Sequence, residues 1–135
     1  MAHYMAWYQT PNVSGAWGWH WTMNHYNPNT VDDTGRADLA SQVYPVIGPY
    51  DSRDPDVLEY QLGLMKLSGI DGVIVDWYGP DNYRDYALIN AATHKLFDAV
   101  SRAGLLFAIC YEDRGIGYRV SDGQIRPSRA VDHGS

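Results

Sequence analysis

The chain has a single cysteine, Cys110, so it forms no intrachain disulfide and holds no cysteine-rich metal site. Basic residues are scarce: ten Lys and Arg stand against sixteen Asp and Glu, for a formal net charge of −6. A surface of that sign repels phosphate, and no nucleic-acid partner is expected. No apolar run approaches the roughly 20 residues that cross a bilayer, so no membrane partner is expected either. Met1-Ala2-His3-Tyr4 lacks the charged start and apolar stretch of a secretory signal. A soluble chain is expected, and its localisation stays unknown. No glycine-rich phosphate loop follows a candidate strand and no Gly-x-Ser-x-Gly elbow occurs, which removes two common signs of nucleotide binding and serine hydrolysis. Nothing in the pattern calls for a cofactor.

Phenylalanine is scarce too, and here the shortage points to something present. Two Phe stand against eleven Tyr and five Trp. Aromatics that carry a polar group suit a wet binding surface better than a dry core. They also cluster. Trp7, Tyr8, Trp17, Trp19, Trp21 and Tyr26 form an early group, and Trp77, Tyr78, Tyr83 and Tyr86 a later one. Sugar C–H faces stack on such rings. The alternative is that the aromatics simply fill a loop-rich small domain.

The element pattern is regular after a long irregular start. Residues 3–8 are rich in β-formers and predict a first strand. Residues 9–53 show no sustained period and are broken by proline and glycine, with a short helical turn expected at 38–42. Asp54 is placed to N-cap a helix whose first position is Pro55, Leu58, Leu62 and Met65 supply its apolar stripe, and Gly69 ends it. A strand is predicted over 71–76 and a second helix from Tyr83 or Arg84 to Ala103. That helix buries Leu88, Ile89, Ala92, Leu96, Ala99 and Val100 and stops at Gly104. Residues 105–111 predict a third strand in which Cys110 is a core residue, and 115–135 read as an irregular tail. Strands alternating with helices imply an α/β fold, here one domain over 1–135 containing a parallel βαβαβ unit with a long first βα loop. In that topology the loops leaving every strand lie on one face, so 9–53, 79–84 and the chain after Glu112 are expected to converge.

The run Gly69-Ile70-Asp71-Gly72-Val73-Ile74-Val75-Asp76-Trp77-Tyr78-Gly79 carries the most information. Its centre is apolar, as in a strand buried in a parallel sheet, and it ends in a carboxylate, an indole and a phenol. Ligands meet parallel sheets at the carboxyl ends of the strands. Glu112 ends the next strand, so its carboxyl and that of Asp76 are placed to face one cavity. Glycoside hydrolysis commonly uses two carboxyl groups, about 5 to 5.5 Å apart for retention. The alternative pairs one acid with Arg114 or Arg53 as a structural bridge. Trp19-His20-Trp21-Thr22-Met23-Asn24-His25-Tyr26-Asn27-Pro28 offers rings for stacking and amides and imidazoles for sugar hydroxyls. A metal reading of His20 and His25 needs a third ligand such as His3 or Asp76, and their spacing fits no helix, so no metal centre is expected. Asp51 and Ser52 are read as caps of the helix that follows.

Taken together, His3-Tyr4-Met5-Ala6-Trp7-Tyr8, the 19–28 segment, Ile47-Gly48-Pro49-Tyr50-Asp51-Ser52-Arg53-Asp54-Pro55, the 69–79 run and Ile109-Cys110-Tyr111-Glu112 resemble the N-terminal part of the glycoside hydrolase family 71/99-like proteins. That group includes endo-α-mannosidase-type enzymes. The resemblance implies a (β/α)8 TIM barrel acting on glycans, of which three strands and two helices are a part, since a whole barrel takes about 250 residues. It implies further that Tyr8, His20, Trp77 and Glu112 line the sugar pocket, and that the principal catalytic carboxylates of family-99 enzymes sit on later strands. The expected site is then Glu112 and Asp76 as acid/base groups, with Tyr8, His20, Trp21, Asn24, Trp77 and Tyr78 binding a carbohydrate ligand. Two alternatives stand beside it: a non-catalytic carbohydrate-binding module, and an oligomerising scaffold without activity. A three-stranded parallel sheet has two open edges, so a homo-oligomer that covers them is expected.

Overall fold

In the computed structural model, which describes residues 1–124, three parallel strands alternate with helices. β1 (Ala2–Met5) leads through two single-turn helices, α1 (Pro11–Ser14) and α2 (Trp19–Thr22), to α3 (Pro55–Leu67). β2 (Gly72–Trp77), α4 (Tyr86–Ala103), β3 (Leu106–Tyr111) and α5 (Arg114–Ser121) follow. The sheet order is β1-β2-β3, with Met5 level with Asp76 and Asp76 level with Cys110. This is the expected βαβαβ unit, a partial barrel. Among the described residues no helix is long and apolar enough to cross a membrane.

Local chemistry sets the helix ends. The Asp54 carboxylate accepts the Asp56 N–H at 2.9 Å, and Pro55 takes the first position, where its missing N–H costs no bond. At the other end Gly69 adopts φ +74°, and Ile70 donates back to the Met65 carbonyl at 2.9 Å, which closes the last turn. The Lys66 ammonium then donates to the Ala103 carbonyl at 2.7 Å, tying the C-terminal ends of α3 and α4 together.

Alternation along the strands divides the sheet into two faces. Tyr4, Val73 and Val75 face the helices and pack with Leu58, Leu62, Ala92, Leu96, Ala99 and Val100. His3, Ile74, Asp76, Ala108 and Cys110 lie on the other face. Cys110 is exposed there and is not the core residue expected from its apolar strand. Leu88 is also corrected: it is 38% exposed, at the edge of the face on which α4 buries Ile89, Ala92 and Leu96.

Two further expectations change. No helix forms at 38–42; the helical turns of the long loop are α1 and α2. The tail is helical over Arg114–Ser121, where glycines at 115 and 117 argued for irregular chain. Side chains hold α5: Asp122 accepts from the Tyr83 hydroxyl and pairs with Arg84, and Arg119 pairs with Asp81. The remainder of the expected tail lies outside the described residues.

The long first loop is ordered by a buried anchor. Asp51 is 1% exposed, and its carboxylate accepts from the Thr10 N–H at 2.9 Å, the Arg53 N–H at 2.9 Å and the Ser14 hydroxyl. Ser52 and Tyr8 exchange a second pair of bonds, N–H to carbonyl at 2.8 Å and N–H to hydroxyl at 3.1 Å. Asp51 and Ser52 are therefore clasps between the two ends of the loop, and the capping role expected of them belongs to Asp54.

Candidate functional site

The carboxyl ends of β2 and β3 bring Asp76, Tyr78 and Glu112 to the same end of the sheet. Asp76 closes the open-face row of β2 and is 7% exposed. Its Oδ2 accepts the Tyr78 hydroxyl at 3.1 Å. The Tyr78 phenol is pushed well above its ordinary pKa, first by burial, then by the charge of Asp76 and its hydrogen bond, and also by the charge of Glu112. It is thus a neutral donor to the Asp76 carboxylate. Glu112 continues the β2–β3 pairing through its N–H to the Trp77 carbonyl at 2.9 Å, and its Oε1 accepts the Arg114 N–H at 3.0 Å. Neither acid forms an ion pair among the described residues. The structural bridge considered for Arg53 goes to Asp51 instead, at 3.7 Å.

Beside this group opens a cavity of about 600 Å³, lined by Trp19, His20, Tyr78, Asp85, Tyr86 and Tyr118 among others. Each wall has a reason. α2 presents His20, whose ring stacks on Trp7 with centroids 4.2 Å apart and planes 8° apart. Its Nε2 lies 3.3 Å from Asp85 Oδ2, off the hydrogen-bond axis. Trp19 meets His20 edge-on at 5.1 Å and keeps about half its surface in solvent. Tyr86 begins α4 and stacks against Tyr78 at 4.9 Å, fixing the phenol that reaches Asp76. A half-open, aromatic-walled cleft with carboxyl and phenol groups at one end has the character of a small-molecule site.

The expected residues divide between this cleft and the packing behind it. His20 and Tyr78 line it; Asp76 is tied to it through the Tyr78 hydroxyl, and Glu112 ends the next strand. Tyr8 is half-buried, with its ring stacked on Trp21 at 4.0 Å and 5.2 Å from that of Tyr50. Trp21 is a correction: at 1% exposure, with its indole N–H donated to the Tyr50 carbonyl at 2.9 Å, it packs the loop and offers no face to a ligand. Trp77 is another. It alternates with Asp76 onto the helix side, donates its N–H to Asn90 Oδ1 at 2.9 Å and leans on Tyr111. Asn24 is exposed at φ +58° beyond α2 and does not line the cleft. Trp19, Asp85 and Tyr118 were missed. Trp19 was visible as part of the early aromatic group, whereas Asp85 and Tyr118 carry no sequence signal and arrive through α4 and α5.

The histidines also sort differently. His20 is held by Trp7 and Asp85, and His25 packs edge-on against Tyr26, so the two form no ligand pair. His3 and Asp76, weighed as third ligands, meet Cys110 instead, with one ligand atom from each lying within 4.8 Å of the others.

With this geometry in hand, the likenesses to known proteins fall into one group. The family model of glycosyl hydrolase family 99 matches residues 1–116. Among curated proteins, the chain is 35% identical over 88 residues to a glycoprotein endo-alpha-1,2-mannosidase-like protein of Mus musculus, an alignment covering 58% of this chain and 19% of that protein. It is 31% identical over 93 residues to the glycoprotein endo-alpha-1,2-mannosidase of Mus musculus, covering 62% and 20%. The chain thus spans about a fifth of the length of these relatives. Among solved structures, the GH99 endo-alpha-mannosidase from Bacteroides thetaiotaomicron superposes with a TM-score of 0.60 at 22% identity, covering 98% of this chain and 42% of that one. At that identity the likeness shows the fold, a (β/α)8 barrel of which this chain forms part.

Proposed function

This chain belongs to glycosyl hydrolase family 99, and on that premise we propose that the cleft at the carboxyl ends of its strands is one wall of a binding site for α-linked mannose glycans. The observation that carries the reading is Tyr78, hydrogen-bonded to Asp76, in the wall of an aromatic cavity of about 600 Å³, with Glu112 ending the neighbouring strand. The relatives named endo-alpha-1,2-mannosidase supply the substrate class. Trp19 stacks on a sugar ring, His20 and Tyr78 meet hydroxyl groups, and Glu112, half-exposed, is the acid/base group at the glycosidic oxygen. Asp76, nearly buried, holds the Tyr78 phenol and is a positioning residue.

Binding is tested by saturation-transfer NMR with an α-1,2-linked manno-oligosaccharide. Trp19→Ala is expected to weaken binding about fivefold, the value of one aromatic contact of roughly 1 kcal/mol, and Tyr78→Phe to weaken it while the fold persists. Absence of any saturation transfer, or equal transfer to both variants, refutes the assignment. Turnover separates the hydrolase from the non-catalytic module: release of reducing ends that stops in Glu112→Gln supports the acid/base role, and binding without release supports the module.

The carbohydrate site leaves β3 uncovered. Leu106, Ile109 and Tyr111 are each more than half exposed along a strand edge that is unpaired among the described residues, an arrangement that parallel sheets ordinarily bury. For the 135-residue chain by itself, the occupant we infer is a second copy pairing on β3. Light scattering at micromolar concentration is expected to give twice the chain mass of 15.2 kDa, and a monodisperse monomer rejects the pairing.

A further inference from the structure

We propose that His3, Asp76 and Cys110 form a binding site for a thiophilic divalent cation, with zinc preferred, on the sheet face turned away from the helices. Each strand contributes one ligand. Cys110 and Asp76 stand level in the β2–β3 register, and Met5 stands level with Asp76 on β1. His3 shares Met5's face two residues earlier, and its long side chain reaches forward into the same row. The three ligand atoms lie within 4.8 Å of one another. Zinc bonds of about 2.0 Å to nitrogen and oxygen and about 2.3 Å to sulfur place tetrahedral ligand atoms about 3.3 to 3.6 Å apart. Closing from one spacing to the other takes about 1 Å of movement. His3 and Cys110 are both exposed, so rotation of their side chains supplies it.

A second observation points to the same occupant. The Asp76 carboxylate is largely out of water yet forms no ion pair among the described residues; its one side-chain hydrogen bond comes from the Tyr78 hydroxyl. A charge in that position is ordinarily paired or bound to a metal. The Tyr78 hydroxyl then acts as an outer partner that orients the ligating carboxylate. The donor set selects the metal. A thiolate and an imidazole favour zinc, whereas magnesium and calcium take oxygen shells. On binding, Cys110 releases its thiol proton to solvent and the thiolate sulfur donates a lone pair to the cation. The thiolate and the carboxylate together neutralise a dication. Three protein ligands leave the fourth position open to water.

Cobalt is the spectroscopic probe. The full chain is stripped with EDTA under reducing conditions and titrated with Co²⁺, and the thiolate-to-cobalt charge-transfer band and the tetrahedral visible bands are recorded. The expected result is saturation at one cobalt per chain, bleached by one equivalent of Zn²⁺. Cys110→Ser loses the charge-transfer band, His3→Ala binds about tenfold more weakly or worse, and Tyr78→Phe weakens binding about tenfold through the outer hydrogen bond. His94→Ala, remote and exposed, binds as the parent does. Both ligand variants change exposed residues, and circular dichroism verifies their folding. Absence of the charge-transfer band at millimolar cobalt, or unchanged affinity in folded His3→Ala, overturns the site.

Discussion

The Asp51 carboxylate accepts the backbone N–H of Thr10 at 2.9 Å across 41 residues of chain, with both groups buried. That bond, with the Ser14 and Arg53 donors on the same carboxylate, is what turns a long irregular segment into a fixed wall of the cleft. Asp51→Ala strands the Thr10 and Arg53 N–H groups without their acceptor. The expected loss is about 3 kcal/mol of stability, the cost of breaking one buried charged hub. Urea unfolding followed by fluorescence measures it, and a loss below about 1 kcal/mol would show that the loop is held elsewhere.

Trp19 and Trp21 sit two residues apart with opposite duties. Trp21→Ala removes a buried indole and leaves the Tyr50 carbonyl without its donor, for an expected cost of about 3 to 5 kcal/mol. Trp19→Ala removes a half-exposed ring and is expected to leave the melting temperature within about 2 °C of the parent. Calorimetry of the two variants side by side decides the matter; equal destabilisation contradicts the division of roles.

Gly72 opens β2 directly against β3. A Cβ placed there would stand 2.2 Å from the Leu106 carbonyl oxygen, a backbone atom that cannot swing aside. Gly72→Ala is therefore expected to part the strands at their start and to lower the unfolding midpoint by several degrees. Amide exchange checks the location: faster exchange at Leu106, whose N–H donates to the Asp71 carbonyl at 2.8 Å, with α3 unaffected. Unchanged exchange at Leu106 would falsify the steric account.

Asp122 has a lowered pKa in the folded chain, chiefly because the Tyr83 hydroxyl donates to it, with the Arg84 guanidinium adding to the effect. A depressed folded value means that this attachment of α5 stabilises above the ordinary Asp value of 3.8 and is lost as the pH falls through the lowered one. The carboxyl carbon of Asp122, followed by NMR on acidification, is expected to titrate with a midpoint below 3.8, with the α5 amides losing protection over the same range. Protection that persists after Asp122 is protonated assigns the docking of α5 to other contacts and refutes this one.

Much of the scaffold was legible from local pattern. Asp54, Pro55 and Gly69 mark the bounds of α3, Gly104 ends α4, and the apolar runs around Val73 and Phe107 are the two later strands. Each of these signals acts within a few residues, where spacing, capping and backbone preference decide the outcome. The convergence of Asp76 and Glu112 followed from parallel topology, since consecutive strand ends must share a face. The family likeness added the barrel.

Other placements were not legible, because their cause lay far away in sequence. Trp21 and Trp77 have the same side chain and the same kind of neighbours as Trp19, yet burial against Tyr50 and a bond to Asn90 take them out of the cleft. Cys110 looked like core because its strand is apolar, but among the described residues no helix covers its side of the sheet. Nothing near Asp51 announces that its partner is Thr10.

The sequence by itself determined the alternation of strands and helices, their caps, and the delivery of two acids to one end of the sheet, because all of these depend on local periodicity and on the handedness of βαβ units. Which aromatics line the cleft and which pack the loop was settled by three-dimensional packing alone. The tertiary structure alone brought ligand atoms of His3, Asp76 and Cys110 within 4.8 Å of one another. Those outcomes depend on register and on contacts between residues tens of positions apart, which a one-dimensional pattern does not encode.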